Sequence, residues 1–343
     1  MSTTTTELVK QARMRHRGRW AAVTAILAVL AAALCCAMLL LGNTIYPVRD
    51  VLAVLLGEEV KGATFAVRTI RLPRMLAGLF AGFAFGVSGY VFQTMLRNPL
   101  ANPNVIGITA GSSAAAVFCI IVLGAGKAAT STAAVIAGLL TVLVIYGLAR
   151  GRSFSIGRMI LVGIGIQAMC NSAITYLLLI AQEHSLPAAV RWLTGSLNGV
   201  RMEELAVLLV SCLVLTPVIV LLGRPLQLLE LGEQAATSLG VRTDRTRVAL
   251  VVSAVVLSAV ATAVTGPIAA VAFLAGPIAV RLAGTARANV IPAGLVGAAL
   301  VLAADLAGQF AFPWKFPVGI LTGIIGAPYL LYLIVRMNRK GEL

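Results

Sequence analysis

The chain is built from long apolar runs separated by brief polar interruptions. Setting runs of Ala, Leu, Val, Ile and Gly against the Pro, Asn, Arg and Lys between them predicts ten spans. They lie near 20–42, 72–95, 105–124, 131–149, 159–181, 203–222, 248–264, 267–284, 292–311 and 317–336. Each is about 20 residues, the length with which a helix crosses a hydrocarbon core of roughly 30 Å. Lipid offers no hydrogen bonds to the backbone, so a spanning chain must be helical or a closed barrel. The runs are unbroken and do not alternate like strands, which makes this an all-α polytopic membrane protein. Ten spans divide into two sets of five, and an odd-numbered repeat inserts its second half inverted.

Composition agrees. The 343 residues are 59% hydrophobic and 11% charged, with a mean hydropathy of +0.98, whereas soluble domains carry about 25% charged residues. The segment 1–19 is basic, and the run from Ala21 to Leu41 is too long for a signal-peptide core. It reads as a retained first span with a cytoplasmic N-terminus. On that orientation both termini are cytoplasmic, and the cytoplasmic segments hold 18 of the 27 Lys and Arg. The net charge of +15 is then topology rather than a nucleic-acid footprint. The whole chain, 1–343, reads as a single transmembrane domain.

Two places depart from a plain bundle. The cytoplasmic segment 223–247 is long and polar, and Leu228–Leu239 predicts a short amphipathic helix stopped by Gly240. Such an element suits a partner protein. At Gly266-Pro267 and again at Gly276-Pro277, glycine and proline interrupt an apolar run, as they do where transporter backbones bend around a pathway.

Catalytic chemistry is missing from the pattern. Cys35, Cys36, Cys119, Cys170 and Cys212 sit inside apolar runs and act as small hydrophobes, with no metal-ligand spacing. "GAGKAAT" around Lys127 lacks the full phosphate-loop spacing, so the chain has no nucleotide site of its own. Asp305 is the one carboxylate well inside a span; a proton relay needs several, so it reads as a hydrogen-bond anchor. Arg68, Arg71 and Arg74 cluster before the second span, either snorkelling to headgroups or receiving acidic residues of an external protein.

The stretch "RLPRMLAGLFAGFAFGVSGYVFQTMLRNPLANPNVIGITAGSSAAA" closely resembles the signature of permease subunits of ABC importers for iron-siderophores, haem and cobalamin. Arg71, Pro73, Arg74, Ser88, Gly89, Gln93, Asn98, Pro99, Leu100, Ala101, Pro103, Gly107 and Gly111 carry the match. "WLTGSL" (Trp192–Leu197), "LGEQAATSLGV" (Leu231–Val241) and "FPVGILTGIIGAPYLLYLI" (Phe316–Ile334) extend it along nearly the whole chain. The resemblance implies a permease that does no bond-breaking chemistry. It implies as partners a cytoplasmic ATPase dimer that binds the ATP, a second permease, identical or related, an extracytoplasmic substrate-binding protein, and lipid.

It also implies roles for residues. Leu231, Gly232, Glu233, Ala236, Leu239, Gly240 and Val241 would form the core of the ATPase-coupling segment. Arg71, Arg74 and Lys315 would receive the binding protein. Gln93, Asn98, Pro99, Gly266 and Pro267 would belong to the translocation path and gate. The chain departs from the family pattern in "GPIAVR" (Gly276–Arg281), which keeps Arg281 without the usual His, and at Gln309, where the family often has Arg. Lys315 could replace that charge. The expected cargo is a ferric-siderophore chelate, with haem or cobalamin behind it; a gradient-driven transporter or channel is the alternative class, disfavoured by the single intramembrane carboxylate.

Overall fold

The computed structural model describes residues 3–101, 107–149 and 156–340. Among them run fourteen α-helices. They are α1 (Thr3–Leu40), α2 (Val48–Leu55), α3 (Leu72–Leu96), α4 (Ile108–Ile121), α5 (Lys127–Ala149), α6 (Ile156–Leu179) and α7 (Leu186–Thr194). After these come α8 (Met202–Leu221), α9 (Gly223–Glu230), α10 (Glu233–Ser238), α11 (Thr243–Thr265), α12 (Ala269–Ala283), α13 (Val290–Phe310) and α14 (Val318–Lys340). A π-helical stretch, Phe65–Arg71, leads directly into α3. Asn102, Pro103 and Asn104 of the signature turn, and Arg150 and Arg152, lie outside the described residues.

Among the described residues, eight helices are long and apolar enough to cross a membrane. The two remaining expected spans are corrected to short helices: α4 has 14 residues and α12 has 15. At 1.5 Å per residue they reach only about 21 and 22 Å. Left-handed glycines set their lengths. Gly107 (φ 77°) caps the start of α4, and Gly266 (φ 73°) ends α11 just before α12. Ala116, Val117, Val271, Ala275 and Ala279 are buried, so both short helices spend their apolar surface on protein. A second correction concerns 228–239: it is not one helix but the end of α9 and all of α10, divided at Gly232 (φ 110°).

The core is α3, which packs on α13, α11 and α12. Gly78, Gly82 and Gly86 recur every four residues; the first makes room for the Leu197 and Leu302 side chains, and the other two let backbones touch. A Cβ on Gly82 would sit 2.6 Å from the Gly297 carbonyl oxygen, and one on Gly86 would strike the Ala293 carbonyl. Neighbour relations repeat between halves. α4 packs on α5, α6 and α11; α12 packs on α13, α14 and α3. Exchanging α3–α6 for α11–α14 therefore maps one set of contacts on the other, as two five-span halves would.

The bundle has two polar ends. The start of α1, the ends of α3, α12 and α14, and the short α9 and α10 gather at one end, called here the basic end. Contacts such as Arg19 to the end of α12 and Gln227 to the Thr285 carbonyl hold it together. The end of α1, the starts of α3 and α14 and the end of α13 form the opposite end.

Candidate functional site at the two ends of the bundle

At the opposite end the arginines turn inward. Arg71 donates to the Leu39, Leu40 and Thr44 carbonyl oxygens at 2.8, 3.0 and 2.6 Å, and its guanidinium lies 4.9 Å from the centre of the Tyr46 ring. The end of α1 has carbonyls with no helical partner, and Arg71 supplies donors for them. Arg74 makes a two-pronged ion pair with Asp305, Nε to Oδ2 at 2.7 Å and Nη2 to Oδ1 at 2.8 Å, and also reaches the Asn198 side-chain oxygen. Gln309 donates to Asp305 Oδ2 at 2.7 Å. Asp305 is only 1% exposed, so every part of this geometry serves to hold a carboxylate inside the protein. The anchor reading of Asp305 is what the structure displays. Gln309, one turn after Asp305, gives the carboxylate a neutral donor where a second arginine would add charge. Lys315 is exposed and lies with Arg71, Arg74 and Gln309 around a cavity of about 290 Å³.

Three of the sequence stretches singled out above meet beside this end. Ser196 donates its backbone N–H to the Thr265 carbonyl at 2.7 Å, and Gly319 donates to the Gly195 carbonyl at 3.2 Å. Gly195 and Gly266 both have φ of 73°, a conformation that only glycine adopts cheaply. Gly266-Pro267 is thus a buried joint between α7, α11, α12 and α14 rather than a free kink. Lys127, dismissed as part of a phosphate loop, pairs with Glu204 at 3.0 Å and caps Gly199 at 2.7 Å. Sequence reasoning missed Asn198 and this pair; the only signal for Asn198 was its position directly after "WLTGSL".

At the basic end, α3 stops in a double turn. Arg97 N–H bonds the Thr94 carbonyl at 3.2 Å and Asn98 N–H bonds the Gln93 carbonyl at 3.0 Å, the 5→2 and 6→1 pattern that closes a helix. Arg97 occupies the left-handed position (φ 51°), the one non-glycine residue with positive φ among those described. The Asn98 side chain then accepts the Leu100 N–H at 2.8 Å, and Pro99 prevents the helix from resuming. Gln93 is 6% exposed and ties α3 to α12 through Nε2 to the Phe273 carbonyl at 2.9 Å. Its Oε1 lies against Gly276 and has no hydrogen-bond partner among the described residues. Gln93, Arg97, Asn98, Pro99 and Glu230 line a cavity of about 380 Å³. Partial burial pushes the Glu230 carboxyl above its ordinary value.

The segment 223–247 lies alongside. Gly240 (φ 85°) ends α10 by the same double turn, with Gly240 N–H to Thr237 and Val241 N–H to Ala236. Ala236 is fully buried and Val241 packs partly on the core, while Glu233 holds Arg247 at 2.8 Å. Leu231 and Leu239 flank α10 and are 64% and 60% exposed.

These positions can be set beside known proteins. Residues 28–336 match the model of the FecCD transport family. The chain belongs to that family. It is 38% identical over 292 residues to the ferric enterobactin transport system permease protein FepG of Escherichia coli (strain K12), covering 85% of this chain and 88% of that one. It is 37% identical over 284 residues to the Fe(3+)-citrate import system permease protein YfmE of Bacillus subtilis (strain 168), covering 80% and 84%. A solved structure described as an inward-facing conformation of a metal-chelate type ABC transporter superposes with a TM-score of 0.81. It is 27% identical, covering 92% of this chain and 99% of that one. The FecCD chain is accordingly a multi-pass membrane permease subunit of an ABC importer, not an enzyme, and ATP hydrolysis belongs to a separate subunit.

Proposed function

We propose that this permease imports ferric-siderophore chelates across the bacterial plasma membrane, with the basic end and both termini in the cytoplasm. What supports the cargo is the run of relatives matched along most of the chain, named for ferric enterobactin, achromobactin and Fe(3+)-citrate transport. What supports the orientation is the excess of Lys and Arg in the segments of the basic end.

The division of labour follows the two ends. Leu231 and Leu239 dock in the ATPase, and Gly232, between α9 and α10, lets the docking helix tilt relative to the bundle. The buried bond from Gln93 to Phe273 and the joint at Gly266-Pro267 both hold the first part of α12, so motion of the coupling segment reaches α12 through the end of α3. Lys315 and the cavity beside it receive the substrate-binding protein. Arg71 and Arg74 shape that surface from beneath, because their donors are engaged within the chain. A second permease completes the path. The chain contributes differential stability of two conformations, and ATP binds elsewhere.

Uptake of iron-labelled siderophores by cells lacking this chain tests the reading. Loss of uptake for one chelate class, restored by the intact gene and abolished by ATP depletion, is expected. Normal uptake of every ferric chelate would overturn the assignment of cargo.

A further inference from the structure

Arg247, near the start of α11, is an expensive residue for the fold to keep. It is 7% exposed, and burial penalises a charge. Its Nε is buried with no hydrogen-bond partner among the described residues, and an unmade bond on a buried donor costs free energy. It lies at the N-terminal end of its helix, where the dipole gives a cation no help. Against these costs stands one bond, from Nη1 to Glu233 Oε2 at 2.8 Å. Glu233 opens α10 and is more than half exposed, unlike the enclosed, two-pronged partner of Arg74. A pair open to solvent on one side contributes little stability. What the pair does is join the short α10 to a helix that reaches the other end of the bundle.

That helix suits transmission of movement. Among the described helices of 14 or more residues, α11 alone contains neither glycine nor proline, and sharp kinks arise mainly at proline and at glycine–serine pairs. Its 23 residues extend about 34 Å, and most of them are buried against α3, α8, α5 and α4. At its far end the Thr265 carbonyl accepts the Ser196 N–H at 2.7 Å, in the joint that α11 shares with α7, α12 and α14. A displacement imposed at Arg247 arrives at this joint instead of being absorbed by a bend.

We propose that Arg247 is a positioning residue for transport. Bonded to Glu233, it latches α10 to α11, and α11 carries movement of the coupling segment as a rigid rod to the Thr265–Ser196 joint. This is a second route between the two ends, separate from the one through the end of α3 into α12. It rests on 223–247 being the coupling segment and is independent of which chelate is carried.

The test measures linkage between the two ends. The full-length chain is purified with its ATPase, and affinity for the substrate-binding protein is read with and without a non-hydrolysable ATP analogue. The ratio of the two affinities is the coupling. The parent should give a ratio clearly different from one, and Arg247→Gln should bring it about fivefold closer to one, an effect typical of residues that carry coupling. The ATPase should still co-purify with Arg247→Gln, and binding-protein affinity without nucleotide should match the parent; a merely structural loss would disturb both. Arg247→Lys, which keeps one charged donor, should retain most of the ratio, and Glu233→Arg with Arg247→Glu should restore it. If Arg247→Gln does not fold, Glu233→Gln reads the same latch from its exposed partner. A ratio of one in the parent, an unchanged ratio in Arg247→Gln, or equal losses in Arg247→Gln and Arg247→Lys would overturn the proposal. Leu231→Ser with Leu239→Ser separates the two readings. Retained ATPase in that variant would remove the coupling segment and the latch together. Lost ATPase there, with the parent's ratio in Arg247→Gln, would leave the coupling segment standing and remove the latch alone.

Discussion

Breaking the Arg74–Asp305 pair should destabilise the protein severely. Two short, parallel hydrogen bonds at 2.7 and 2.8 Å join the groups, and Asp305 is 1% exposed. In Arg74→Gln the carboxylate keeps the 2.7 Å bond from Gln309 but loses its counter-charge. A buried charge left without its partner costs about 3–5 kcal/mol, and two unit charges about 4 Å apart interact by about 4 kcal/mol at an effective dielectric of 20. Arg74→Gln should therefore cost about 3 kcal/mol or more. Arg74→Met with Asp305→Leu should cost much less than the sum of the single changes, giving a coupling energy of about 2–3 kcal/mol. The assay is reversible unfolding of the purified chain in mixed micelles titrated with denaturing detergent, for the parent, both single variants and the double. Single costs below about 1 kcal/mol with additive effects would refute this account. The arginine would then be available to an external partner, as its sequence context implied.

Three further outcomes are expected. Arg97→Gly should raise stability by up to about 1 kcal/mol, because glycine takes the left-handed position without the Cβ penalty; a loss of stability in the same unfolding assay would contradict it. For Glu230, burial raises the folded pKa above its unfolded value of 4.5, so the folded state favours the protonated form. That contribution is full below pH 4.5 and is lost as pH rises through the folded pKa. Glu230→Gln should consequently be more stable than the parent at pH 8, with the difference shrinking towards pH 4.5; a difference independent of pH would contradict it. Leu231→Ser with Leu239→Ser should leave unfolding within about 0.5 kcal/mol of the parent yet abolish co-purification of the ATPase, and retained co-purification would remove these leucines from the interface.

Positions of spans were legible because lipid imposes one rule on every residue of a run. Lengths were less so. α4 and α12 are short because they are enclosed by other helices, and enclosure depends on contacts distant in sequence. The segment 223–247 was legible as a polar stretch, but its division at Gly232 was hidden by reading glycine as a stop only at Gly240. For the arginines, nothing in the sequence pointed to partners within the chain. Arg71 and Arg74 occur in an outer polar stretch that invites a partner, while the groups that claim them, the end of α1 and Asp305, lie 31 and 231 residues away. Gln309 looked like a missing charge and proves to be a donor to Asp305. Asn98 and Pro99, by contrast, act on the chain within two residues of themselves.

The central claim is that this chain moves a ferric chelate only when a separate ATPase drives it. Proteoliposomes holding the permease with its ATPase, presented with loaded binding protein and iron-labelled siderophore, test that claim most directly. The account predicts accumulation with ATP and none with an imposed proton or sodium gradient alone. Gradient-driven accumulation without ATP would contradict it.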